Sequence, residues 1–214
     1  DDMSETLGKV EKPEAKGFTN KRKLYLVPLL FSGKDAPADY SEKFARYWAE
    51  ASQHIDNLEE KLGKVSHVYH EVVYQAGEEG LKAAEKLNPA SHQIAKEKAS
   101  NGAAFEATEQ REIAEECMDW ERFFLIGFLS QKVADLVSEL YTEAVRKRYE
   151  HIAHAIDQTL KGGEAGLLFI REGHMVQFPG DIEVFSVAPP ALDDIHRWQR
   201  ERSAKPKEDK PSNQ

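Results

Sequence analysis

His67, His70 and Glu71 fall within one short segment, Ser66-His67-Val68-Tyr69-His70-Glu71. Imidazole nitrogen and carboxylate oxygen are the donors that zinc and iron sites use. On a helix, His67 and Glu71 stand four apart on one face with His70 about 60° to one side, so these three are the candidate metal ligands. The spacing is not that of the zinc proteases, which set two histidines at i and i+4 with a glutamate beside the first. The plainer alternative is an exposed His–Glu pair contributing about 0.2–0.5 kcal/mol to its helix.

A second group, Arg171, Glu172 and His174, sits in Phe169-Ile170-Arg171-Glu172-Gly173-His174, directly after an apolar run. Ligands of α/β proteins bind where strands end, so these three are the candidate catalytic residues of a metal-dependent or acid–base site. The competing explanation is a tight hairpin with Gly173 supplying a positive φ. Glu109, Glu112, Glu115, Glu116, Asp119 and Glu121 surround Cys117 and Trp120, but the paired Glu-x-x-His motifs of a di-iron bundle are missing. This acidic run, and His151 and His154 behind Arg146-Lys147-Arg148, read as solvated helix faces. Cys117 reads as a buried, inert thiol.

The elements that must position these residues follow from periodicity. Leu24 to Phe31 is an apolar run suited to a buried strand, with Pro28 pushing it toward an edge or a bulge. Phe44, Trp48, Ala51, Ile55, Leu58, Leu62, Val65, Tyr69 and Val72 then step by fours and threes. This predicts a helix from Tyr40 to Tyr74, capped by Asp39, whose interior Gly63 is its weak point. Gly77, Gly80 and Asn88-Pro89 punctuate one or two short helices, and Thr108 caps a helical stretch that runs to Gly162-Gly163 as one long helix or two meeting near Gly127. Ala165–Ile170, Met175–Phe178 and Asp181–Val187 read as strands, and Pro189-Pro190 opens a last helix. The fold class is therefore α/β and helix-rich: a small sheet with a long antiparallel helical hairpin inserted after the first strand.

The 214 residues can bury a core without staples, and the single cysteine forms no internal disulfide. Residues 21–202 read as one α/β domain with a helical arm at 40–162, between flexible tails at 1–20 and 203–214. A net charge of -9 argues against broad nucleic-acid binding. No apolar run reaches the length of a membrane span and no signal-peptide pattern opens the chain, so the expected setting is the cytoplasm with no membrane partner.

Ile152-Ala153, Ile156-Asp157 and Leu160-Lys161-Gly162-Gly163-Glu164-Ala165-Gly166-Leu167-Leu168-Phe169-Ile170 lead from a helix through a small-residue turn into a buried strand. This stretch, within residues 150–200, resembles the closing α/β domain of pelota-type and bacterial release-factor-like proteins. The resemblance implies a protein-binding module working beside the translation machinery. The Gly-Gly-Gln motif of peptide release is absent. Together these features predict a non-enzymatic interaction or adaptor protein with a homo-oligomeric or other protein partner. The alternative is a metal-dependent or acid–base enzyme centred on residues 171–174, and no cofactor is specified.

Overall fold

Leu24 to Val27 can be apolar without a break because both faces of their strand are covered. In the computed structural model, which describes Gly17 and residues 20–204, the strands are β1 (Arg22–Pro28), β2 (Val65–His70), β3 (Ala104–Phe105), β4 (Ala165–Ile170) and β5 (Ile182–Ser186). The helices are α1 (Ala38–Leu62), α2 (Gly77–Leu87), α3 (Pro89–Ser100), α4 (Arg111–Ile126), α5 (Gln131–Thr159) and α6 (Pro190–Ala204). The strands make one parallel sheet in the order β3-β2-β4-β1-β5.

Successive strand residues point to opposite faces and so feed two cores. Tyr25, Val27, Leu167 and Phe169 pack with Tyr47, Trp48, Ala51 and Ile55 of α1, Ile94 of α3 and Ile195 of α6. Leu24, Tyr69, Leu168 and Ile170 pack with Ile152 and Ile156, from the second half of α5 alone. A register irregularity between Val65 and His67 lets Val65 and Val68 share the first core although three residues separate them. Gly166 is required on the second face: a Cβ there would lie 2.9 Å from Tyr69 Cε2, so the tyrosine ring fills the space a side chain would take.

The α/β class is as expected, but the long hairpin between residues 40–74 and 109–162 is not what forms. The first helix ends at Leu62, Gly63 takes φ 126°, and Val65–His70 is a strand. Val65, Tyr69 and Val72 continue the heptad spacing by coincidence, whereas the β-branched and aromatic content after Gly63 favours extended chain. α1 packs on α6 instead, with Tyr40 and Trp198 ring centroids 4.9 Å apart and Trp198 Nε1 donating to Asp39 Oδ2 at 2.6 Å. Asp39 accordingly lies in the first turn of α1 and does not cap it, and Pro37 holds the cap position.

β1 is interior, and Pro28 is tolerated because it is the last strand residue. β4 and β5 are separated by β1 and parallel to it, which rules out the hairpin around Gly173; residues 175–178 are not a strand. α6 continues to Ala204; otherwise the tails expected at 1–20 and 203–214 lie almost wholly outside the described residues. The basic run Lys21-Arg22-Lys23 does not form a patch. Arg22 is held by Asp181 and Asp157, Lys21 pairs with Glu183, and Lys23 is buried with Nζ donating to Gly163 O. No described helix is long and apolar enough to cross a membrane.

Candidate functional site

β2 and β4 end side by side, as the backbone N–H of Glu71 donating to Phe169 O across 2.9 Å shows. Beyond that edge the chain makes a tight turn at 70–73, with the Val73 N–H donating to His70 O. The turn carries Val72 at φ 63°, a left-handed conformation that a β-branched residue rarely adopts. Its N–H is held by Glu109 Oε1 at 2.7 Å. A strained residue retained at a strand end is a marker of surroundings that over-determine it.

Those surroundings are a buried ion network. Arg148 of α5 donates from Nε to Glu109 Oε2 at 2.6 Å and from Nη2 to Glu109 Oε1 at 2.7 Å, a two-pronged pair, and Nη2 also reaches Glu71 Oε1 at 3.0 Å. Glu71 Oε2 accepts from the Arg171 backbone N–H at 2.7 Å, and the Arg171 Nε donates to Glu71 Oε1. Arg171 Nη1 lies 3.5 Å from Glu121 of α4. Glu71, Glu109 and Arg148 are all buried. Burial acts to lower the pKa of Arg148, but its hydrogen bonds to Glu109 and the charges of Glu109 and Glu71 outweigh it and raise the value. Arg171 is balanced the same way, with the Glu71 charge prevailing over burial. Cys117 lies beside Arg148; burial pushes its thiol pKa up, and it is a free, inert cysteine.

The proposed metal ligands do not converge. Their grouping assumed a helix, and on strand β2 neighbouring residues alternate between faces. His67 stacks on Tyr69, with Nδ1 2.8 Å from Glu106 Oε1 and Nε2 3.2 Å from Glu164 Oε2. His70 lies against Phe169 in the other core, and Glu71 belongs to the arginine network. Among the described residues no group of three or more His, Cys, Asp or Glu side chains is arranged to hold a metal ion.

His70 is positioned by local capping. Asn88 accepts from the N–H groups of Ala90 and Ser91 at the start of α3, with Pro89 at its first position. That turn sets the Ser91 hydroxyl 2.9 Å from His70 Nε2, while His70 Nδ1 lies 2.7 Å from Glu71 O. A carbonyl only accepts, so Nδ1 carries the proton and Nε2 accepts from Ser91. Burial pushes the His70 pKa down to about 4. Thr108, expected as a helix cap, instead accepts from the His70 N–H at 2.8 Å, and α4 begins later, at Arg111.

The three catalytic candidates have separate partners. Arg171 is in the network, Glu172 Oε2 lies 2.8 Å from His196 Nε2, and His174 Nδ1 accepts from the Val176 N–H at 3.3 Å. Burial lowers the His174 pKa against the opposing charge of Glu71. Beside them Tyr141, Val145, Tyr149 and Ala153 of α5 and the loop at Gly173, Met175 and Gln177 line a groove of about 660 Å³. A carboxylate acts as a general base only where one of its oxygens is free to take a proton. Every oxygen of Glu71 and Glu109 already accepts from an arginine or an amide, so the arrangement serves to clamp.

What it clamps is the root of two helices. Through Glu109 and Glu121 ahead of and within α4, Arg148 within α5, and Glu71 and Arg171 just past the ends of β2 and β4, it fastens α4 and α5 to the C-terminal ends of these two strands. Glu109 and Arg148, read from the sequence as parts of solvated helix faces, are instead buried against each other. The available signal was that Arg148 falls in step with Ile152 and Ile156 on the buried stripe of α5, where an arginine requires buried partners. No protein-family model, curated protein or solved structure matches this chain.

Proposed function

We propose that this is a non-enzymatic interaction or adaptor protein whose α4 and α5 form a contact arm. The observation that carries the reading is the arm's far end, where Leu125 is 85% exposed, Ile126 80% and Leu129 109%. Phe123, Phe124, Val133 and Leu136 are exposed beside them. Contiguous apolar surface of this kind marks a place where another molecule sits. α5 alone is about 43 Å long at 1.5 Å per residue, and only its second half contributes to the core beneath the sheet. The buried clamp supports the reading because it holds the arm in one orientation, the preorganisation that limits the entropic cost of binding. The resemblance of residues 150–200 to release-factor-like closing domains favours a partner in the translation machinery.

The test is density-gradient sedimentation of the tagged chain in cell extract, beside a variant carrying Leu125→Asp, Ile126→Asp and Leu129→Asp. These side chains touch solvent, so the variant should keep its circular dichroism spectrum. The wild type should sediment as a larger particle and the variant should not. Co-migration with ribosomal subunits tests the translation link directly. Identical profiles for the two chains would overturn the reading.

A further inference from the structure

Leu129, Val133, Leu136 and Leu140 step by four, three and four. The first three are exposed and the fourth is half-buried. This is the spacing of a coiled-coil seam, with Val133 and Leu140 at a and Leu129 and Leu136 at d. It borders the stripe of Val137, Ala144 and Arg148 that α5 buries within its own chain, with Val133 one turn before Val137 and Leu140 one turn before Ala144. Leu129 stands one residue ahead of the cap Ser130, so the seam begins at the tip itself.

The flanking charges select the partner. In this register the g positions are Lys132 and Glu139, and neither has an ion-pair partner among the described residues. The e positions are Ser130 and Val137, which are uncharged. A parallel pair sets g against e of the facing helix and so leaves both charges unanswered. An antiparallel pair sets g against g, where Lys132 meets Glu139 of an identical helix and Glu139 meets its Lys132. The same two-fold axis, near residue 135, layers Val133 on the partner's Leu136 and Leu140 on the partner's Leu129. An isologous interface requires this self-complementarity.

From this we infer that the arm's occupant is a second copy of this chain, its α5 lying antiparallel across a two-fold axis at residues 129–140. The inference rests on the reading of the arm as the contact surface and names its partner. Leu125 and Ile126, at the end of α4 beside this seam, would widen the covered surface on each copy.

Light scattering of the purified chain should give twice 24.2 kDa. Leu136→Asp should yield a monomer with an unchanged circular dichroism spectrum, because the side chain is exposed. Lys132→Glu and Glu139→Lys should each weaken pairing roughly tenfold, since each replaces two exposed attractions per dimer by repulsions. The double variant should return to within about threefold of wild type, and a mixture of the two single variants should form the heterodimer preferentially. A monomeric wild type, a dimer indifferent to Leu136→Asp, or a double variant as weak as the singles would overturn self-pairing. So would a monomer that partitions through this face onto phosphatidylcholine–phosphatidylglycerol vesicles. A monomeric purified chain that still enters a larger, tip-dependent particle in extract overturns the second copy while leaving the contact-arm reading intact.

Discussion

Arg148 reaches Glu71 across 3.0 Å although 77 residues separate them in the chain, and the contact joins the middle of α5 to the turn after β2. Replacing Arg148 by Met leaves Glu71 and Glu109 buried without their shared cation. We expect a loss of about 3–5 kcal/mol in unfolding free energy, read from urea titrations. Adding Glu71→Gln and Glu109→Gln to Arg148→Met should recover part of it, because the stranded charges and not the missing contact carry most of the cost.

Val72 at φ 63° supplies a second test. Left-handed backbone costs an L-residue about 1–2 kcal/mol, and glycine gives back about 0.5–1 kcal/mol through chain entropy. Val72→Gly should therefore raise stability by up to about 1 kcal/mol while keeping the N–H that Glu109 accepts. A drop in the denaturation midpoint would show that the Val72 side chain contributes more than its backbone costs.

His70 gives a pH dependence of defined sign. Its folded pKa of about 4 lies below the unfolded value near 6.5, so the unfolded chain binds the proton first. Its contribution is complete above pH 6.5 and is lost as pH falls toward 4, by about 3 kcal/mol in all. Unfolding free energies at pH 7 and pH 4.5 should differ more for the wild type than for His70→Asn. Parallel curves for the two would sink the assignment.

Gly80 tests packing against backbone. A Cβ there would lie 2.2 Å from Gln75 O and 2.7 Å from Phe105 Cδ1, so Gly80→Ala must displace the start of α2 or β3. A loss of about 1–3 kcal/mol is expected despite alanine's better helix propensity, measured as a fall in melting temperature.

How much of this was legible beforehand depends on whether a feature is local. β1, β4, β5 and α6 were readable because apolar runs and the Pro189-Pro190 opening are signals within a few residues. β2 was misread because Val65, Tyr69 and Val72 satisfy a helical and an extended pattern alike, and the parallel partner that decides between them, β4, lies about 100 residues away. Arg171 stands where its place after an apolar run puts it, directly past the C-terminal end of β4. Its role was hidden because Glu71, Glu109 and Arg148 become neighbours only in the fold. The exposed tip escaped notice for the opposite reason: Phe124, Phe128, Leu129, Val133 and Leu136 look like core residues in a sequence, and only the structure leaves four of them uncovered.

The sheet order sets a timetable for folding. β1 is flanked by β4 and β5, whose residues begin at Ala165, so nothing it pairs with exists until some 140 further residues have been made. Until then Leu24-Tyr25-Leu26-Val27 has two unpaired edges, the state in which apolar strands associate with the wrong chains. Closing so long a loop also makes folding slow. The last strands to be synthesised are therefore the ones that complete the sheet, and a nascent chain stalled before Ala165 would need a chaperone to hold its first strand.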